Sequence, residues 1–181
     1  QVVDTNALER RIAILQSRRY VDFYFQSDSG SGGRYYYLSN QIGNSPNRGA
    51  RLTGFETRIG EMYRNKDKFD PLLKEILGYD LDWTIDMTER GDKFIKFVTG
   101  KQYHSGEGIG DGIWSIFTIC DSLYDSKPGE MIVIDEPELS LHPAYQKRVL
   151  SLFKRYAKDR QIVICTHSSY LIDMFSLTKG A

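Results

Sequence analysis

The chain has 181 residues, 40% apolar and 27% charged, with Lys+Arg and Asp+Glu balanced at 24 each. That suffices for one good core, or one core with an appendage, and a neutral total gives no broad attraction to nucleic acid or to a membrane surface. No apolar run approaches the ~18 residues of a membrane span, no signal peptide is visible, and Cys120 and Cys165 sit inside apolar runs, where they read as buried reduced thiols of a cytosolic protein rather than as a disulfide.

The chain begins at Gln1 without a Met and stops at "SLTKGA" just after an apolar segment, which reads as a piece of a longer protein. Leu8, Ile12 and Leu15 keep helical spacing, and "YVDFYF" (20–25) is β-prone, so residues 1–28 predict a helix and then a strand. "SDSGSGG" (27–33) is a loop. It is not a phosphate cradle, because Arg34 and Tyr35 follow it where a P-loop requires Lys and Ser or Thr, and no other glycine run supplies that motif.

After "RYYYLS" and a polar, Asn-rich stretch, two short helices are expected. Phe55, Ile59, Met62 and Tyr63 stripe the first. Asp70 is expected to cap the second, with Pro71 in its first turn and Gly78 at its end. Leu81, Trp83, Ile85 and Met87 alternate with polar residues, "ERGD" (89–92) turns, and "KFIKFVTG" returns, predicting a hairpin. A helix over about 111–125 carries Ile113, Phe117, Cys120 and Leu123 on one side. The run "MIVI" (131–134) predicts a strand buried on both faces, Pro143 opens a helix with Val149, Leu152, Phe153 and Tyr156 inward, and "QIVIC" predicts a second buried strand before another helix near Tyr170. Helix, strand, helix, strand, helix is the pattern of a parallel sheet flanked by helices.

Ligands bind beyond the carboxyl ends of such strands. Asp135 and Glu136 stand at one of those ends and His167 at the next. An apolar run ending in two acids arises often by chance, and a lone His after a strand is more often structural; the conjunction carries the argument. Asp135 suits hydrated Mg²⁺, Glu136 suits positioning or deprotonating a water, and His167 suits a hydrogen bond to a phosphate oxygen gaining charge. "YHSGEGIGDG" (103–112) adds a glycine-rich turn with Ser105 directly before a helix, an anion-binding arrangement that a plain helix start also explains. Lys147, Arg148, Lys154, Arg155, Lys158 and Arg160 crowd one helix and its exit; a wet amphipathic face accounts for them more simply than a nucleic-acid patch. Arg18, Arg19 and Arg34 read as solvated charge.

Taken as an ordered set, these stretches resemble the ABC-type ATPases. "HSGEG" is similar to their signature motif, "MIVIDEPELSLHP" to Walker B running into the D-loop, and "VICTHS" to the switch histidine. The wording "EPELSLHP" is nearest the non-transporter branch of SMC and RecF-like repair ATPases, overcoming-lysogenisation-defect (OLD) nucleases and related phage-defence ATPases. The resemblance covers about residues 101–175. It implies an α/β fold, the C-terminal half of a P-loop NTPase, with residues 1–100 as a family-specific helical and β-hairpin part and 101–181 as the signature, Walker B, D-loop and switch core. It implies ATP and Mg²⁺: Asp135 holding the metal through water, Glu136 as catalytic base, and His167 sensing the γ-phosphate. Ser105, Gly106 and Gly108 would reach the γ-phosphate of a second head in a head-to-tail dimer, and Leu139, Ser140 and Leu141 would form the D-loop at that interface. Glu107 departs from the transporter signature and His142 replaces the usual D-loop Asp. Walker A would lie upstream of Gln1 or on a partner chain, so the isolated piece is expected to be inactive.

The implied protein is a cytoplasmic ATP hydrolase for DNA repair or anti-phage defence, with DNA or a nuclease domain or partner nearby and no membrane. A different class of function also fits: an ATPase-like scaffold that holds a nuclease, with hydrolysis incidental. A third reading makes Asp135, Glu136 and Glu138 the metal ligands of a nuclease.

Overall fold

Two short apolar runs, each ending in polar residues, dictate the centre of this molecule. The computed structural model describes residues 12–17, 24–25, 55–90, 92–99, 102–106, 109–124 and 126–172. In chain order these form β1 (Ile12–Leu15), β2 (Tyr24–Phe25), α1 (Phe55–Arg64), α2 (Lys66–Leu77), β3 (Asp82–Met87), β4 (Lys93–Thr99), β5 (Gln102–Ser105), α3 (Asp111–Tyr124), β6 (Met131–Asp135), α4 (Pro143–Tyr156), β7 (Gln161–Cys165) and a 3₁₀ turn, Ser169–Leu171. The expected loop at 27–33, the segment 34–53, and Arg18, Arg19 and Arg34 lie outside the described residues.

The fold is α/β, with a parallel sheet of order β1-β6-β7 flanked by helices. Ile12 lies opposite Met131 and Leu15 opposite Ile134, while Met131 faces Gln161 and Asp135 faces Cys165. Ala13, Leu15, Ile132 and Ile134 are buried, whereas Ile12 and Val163 stay partly exposed. β6 is therefore apolar on both faces but fully covered on one. The helix expected through Ile12 and Leu15 is a strand instead. Three apolar residues cannot distinguish a helical from an extended run, and the free edge of β6 gives this segment backbone partners that a short helix end lacks.

A second, antiparallel sheet has β4 in its middle, with β3 along one edge and β2 and β5 sharing the other. The predicted hairpin is present; Thr88 N–H reaches Asp92 O at 2.8 Å across its turn. Burial fades toward the tip, from Trp83 at 1% to Met87 at 59% exposed.

Helix α3 is buried all round from Trp114 to Leu123 rather than along one stripe. One part packs on β1. Phe117 meets the other sheet, with Trp83 at 5.2 Å and Phe97 at 5.9 Å between ring centroids. A helix held between two layers is buried on every side, and its buried hydroxyls are bonded: Thr118 Oγ1–H reaches Ser115 O at 2.9 Å and Ser122 Oγ–H reaches Ile119 O at 2.7 Å. Arg58 of α1 and Asp121 of α3, both buried, are joined by an ion pair of 2.9 Å with a second bond from Nε at 3.2 Å.

α2 begins earlier than expected. The Asn65 carbonyl accepts the N–H groups of Lys68 and Phe69 at 3.0 Å, so a turn closes before Pro71, which lies inside the helix. Asp70 is thus not a cap; its carboxylate accepts the Trp83 indole N–H at 2.8 Å. Gly78 does end the helix, at φ +85°. Tyr63 of the α1 stripe is 40% exposed, standing edge-on to Trp83. Among the described residues no helix is long and apolar enough to cross a membrane.

Candidate active site at the ends of the parallel strands

Because β6 and β7 run parallel in register, the residues that follow each strand emerge on one rim. Glu136 N–H extends the ladder by one bond to Cys165 O at 2.7 Å. The chain then turns sharply. Glu136 has φ +43° and Ser140 φ +63°, both unusual for residues with a Cβ, at a cost of about 1–2 kcal/mol each. Such strain, held by the surrounding bonds, is characteristic of functional sites. His142 closes the turn by capping α4, its Nδ1 accepting Ala144 N–H at 3.2 Å.

This geometry sets His167 Nε2 3.6 Å from Glu136 Oε1, with the imidazole 90% and the carboxylate 34% exposed. The separation exceeds a hydrogen bond and leaves the two groups side by side at the rim. Asp135, half-buried, ends β6 beside them in sequence. Among the described residues no three His, Cys, Asp or Glu side chains gather as a metal cage. A single strand-end carboxylate fits Mg²⁺, which takes one or two carboxylates and completes its shell with water and phosphate oxygens. Asp135, Glu136 and Glu138 do not form a metal cage among the described residues. Glu138 is engaged by the end of β7 instead, its Oε1 accepting Thr166 Oγ1–H and His167 N–H at 2.7 Å each. Sequence spacing alone did not reveal that role.

Ser105 belongs to the other sheet, and Gly106 directly follows it. Ser105 ends β5 opposite Lys96, and the Gly106 carbonyl accepts the Trp114 indole N–H and the Ile109 N–H at 3.3 Å each. Asp111 in the first turn of α3 places an acid at that helix end, where it complements the helix dipole. Glu107 and Gly108 lie outside the described residues. The two motif regions nonetheless touch: a Cβ on Gly112 would sit 2.6 Å from Ser140 O, and Ser115 Oγ–H reaches Leu139 O at 3.3 Å. Leu141 is buried beneath this turn and Leu139 is partly exposed.

The basic residues of α4 and its exit are mostly engaged within the chain. Arg148 bonds Ile76 O at 2.9 Å, Arg155 pairs with Glu75 at 2.7 Å, and Arg160 bonds Ser126 O at 2.6 Å. Lys147 lies over the Tyr170 ring. Their first task is fastening α4 to its neighbours. Cys165 is exposed, unlike buried Cys120, because it falls on the open face of β7.

Residues 105–173 match the model of a family described as "AAA domain, putative AbiEii toxin, Type IV TA system". No curated protein matches the chain. Similar solved structures include an Smc head bound to the C-winged helix domain of ScpA, at 18% identity over 66% of this chain and 40% of that one, with TM-score 0.47. Another comes from work on ATP-driven dimerization and DNA stimulated activation of SMC ATPases, at 19% identity over 65% of this chain and 73% of that one, with TM-score 0.48. A third is an Smc head with an extended coiled coil bound to the C-terminal domain of ScpA, from Pyrococcus furiosus, at 20% identity over 65% of this chain and 31% of that one, with TM-score 0.45. The chain spans well under two thirds of the first and third of these structures. The stretch similar to an AAA-type domain is the one that carries Ser105, Asp135, Glu136, Ser140 and His167.

Proposed function

We propose that the chain is part of an ATPase head of the ABC type, in the SMC, RecF and OLD-like group, and that it hydrolyses ATP between two heads arranged head-to-tail. Residues 1–100 form its family-specific part and 101–181 its catalytic core. The observation that carries this reading is the meeting of Glu136 and His167 at 3.6 Å on the rim of the parallel sheet, inside the stretch similar to an AAA-type domain.

Asp135 would hold Mg²⁺ through water, and the ion would supply neutralisation of the phosphate charge. Glu136 takes the proton of the water that attacks the γ-phosphorus as the bond to the β-phosphate oxygen breaks. His167 donates a hydrogen bond to a γ-phosphate oxygen. Ser105, Gly106 and Gly108 serve the γ-phosphate on the other head, a role supported by the place of Ser105 on a sheet separate from the one that carries Glu136. Ser140 and its neighbours lie at the interface between heads. The phosphate-binding lysine comes from chain outside Gln1–Ala181 or from a partner. The protein works in the cytoplasm in DNA repair or anti-phage defence, with DNA or a nuclease as partner.

The test is made on the full-length protein. Glu136→Gln should keep ATP binding and trap a dimer, while turnover falls by about 10²–10⁴-fold, the usual contribution of a general base. Turnover near the unsubstituted level would refute the role of Glu136. Assembly with a nuclease partner that needs neither ATP nor His167 would favour the scaffold function instead.

A further inference from the structure

We infer that Glu138 is the positioning residue of this site: its carboxylate clamps the segment Thr166–His167 and so sets where the His167 imidazole stands. This deepens the proposed ATPase reading and rests on it for its catalytic consequence. The geometry is specific. One oxygen, Oε1, accepts both Thr166 Oγ1–H and the backbone N–H of His167, each at 2.7 Å. These lengths are those of charge-assisted bonds. The other oxygen, Oε2, is buried without a hydrogen-bond partner among the described residues. A carboxylate kept partly unsatisfied out of water is costly, so its two bonds to the segment before the imidazole must hold it in place.

The clamp belongs to a closed chain of bonds. Thr166 Oγ1 accepts Ser168 N–H at 3.0 Å, Ser168 Oγ–H donates to Gln146 Oε1, and Gln146 Nε2–H returns to Leu141 O at 2.8 Å. Leu141 N–H in turn reaches Glu138 O at 2.9 Å. The loop runs from the turn after β6, across to the end of β7, through α4 and back. His167 has no comparable support on its side chain, which is 90% exposed. Its backbone must therefore supply the fixed point, and Glu138 is the group that holds the backbone N–H. The same turn touches α3 through Ser140 O at Gly112 and Leu139 O at Ser115. Displacement of the α3 start is thereby passed to the histidine through Glu138.

The experiment uses the full-length protein and two readouts. The first is amide hydrogen exchange at His167 without nucleotide, which needs no activity. Glu138→Ala and Thr166→Val should each speed that exchange, Glu138→Ala by tenfold or more, while Glu138→Gln, which keeps the accepting oxygen, should stay near the parent rate. The second is ATP turnover. Glu138→Ala should lower kcat by up to about 10²-fold, the effect of misplacing a catalytic group by about 1 Å, with KM for ATP little changed, and Glu138→Gln should recover most of it. Combined with His167→Ala, Glu138→Ala should add no further loss, since a positioning residue has nothing left to position. Should Glu138→Ala fail to fold, Thr166→Val carries both readouts. Unchanged exchange at His167, or losses from Glu138→Ala and His167→Ala that simply multiply, would overturn the inference. Accelerated exchange in a protein that turns over no ATP would uphold the clamp and sink the ATPase reading alone.

Discussion

His167 Nε2 and Glu136 Oε1 stand 3.6 Å apart, although their residues are separated by the whole of α4 and β7. The spacing is too long for a hydrogen bond between them and short enough for both to contact one small oxyanion or water. Apo catalytic groups are often loose in this way and tighten around the substrate. Replacing His167 by Ala is therefore expected to cost about 10²–10³-fold in kcat, as for removal of one donor to a developing oxyanion, with nucleotide binding retained. Single-turnover kinetics of the full-length protein, with binding measured separately, checks this.

Arg58 and Asp121 lock α1 to α3 in the interior, with Asp121 fully buried. Asp121→Ala should destabilise the protein by about 3–5 kcal/mol, because it takes the buried carboxylate partner from a buried guanidinium. Replacing both partners by apolar residues of similar volume should cost far less. Denaturant melts of the single and double variants decide between these outcomes.

The close approach of Ser140 O to Gly112 makes that glycine a packing requirement. An added Cβ would sit 2.6 Å from backbone oxygen, so the turn after β6 has to shift. Gly112→Ala should lower stability by about 1–3 kcal/mol and reduce turnover as well, because the displaced turn carries Glu138. Gly110→Ala, with open space around it, is the control.

The two cysteines should react very differently. Burial, with Asp121 next to it, pushes the Cys120 thiol well up from its ordinary range, and only the thiolate is nucleophilic. Cys165 is exposed. In the native protein a maleimide should label Cys165 rapidly and Cys120 only after unfolding, as read by peptide mass spectrometry.

The Asp86–Lys96 pair on the hairpin supplies a pH signature. The Lys96 hydrogen bond, with a further bond from Met87 N–H, holds the Asp86 carboxyl below its ordinary value, and Asp86 in turn raises Lys96. A depressed acid stabilises above its unfolded pKa, about 3.9, and loses that contribution as pH falls through the folded value. The raised lysine contributes fully below about pH 10.4 and loses it as pH rises through its folded value. Asp86→Asn should thus be slightly less stable than the parent across the neutral range, with the gap closing below about pH 4. Because the pair is largely solvent-screened, the gap should be small and salt-sensitive.

The strand, helix and strand from Met131 to Cys165 were legible from the residues alone. A short apolar run stopped by acids, a proline at a helix start and a second apolar run carry their periods locally, and β6, α4 and β7 start at the predicted residues. That Glu136 and His167 emerge on one rim followed from strand order. Three things did not follow. Ile12–Leu15 became a strand because β6 offered a free edge. Helix α3 became buried all round because a second sheet lies over it. Glu138, one acid among several in the sequence, was directed to Thr166 and His167 by a turn with two positive-φ residues. Local periodicity decides which face of an element is apolar; only tertiary packing decides what that face meets, and hydrogen bonds between distant segments form after both have been placed.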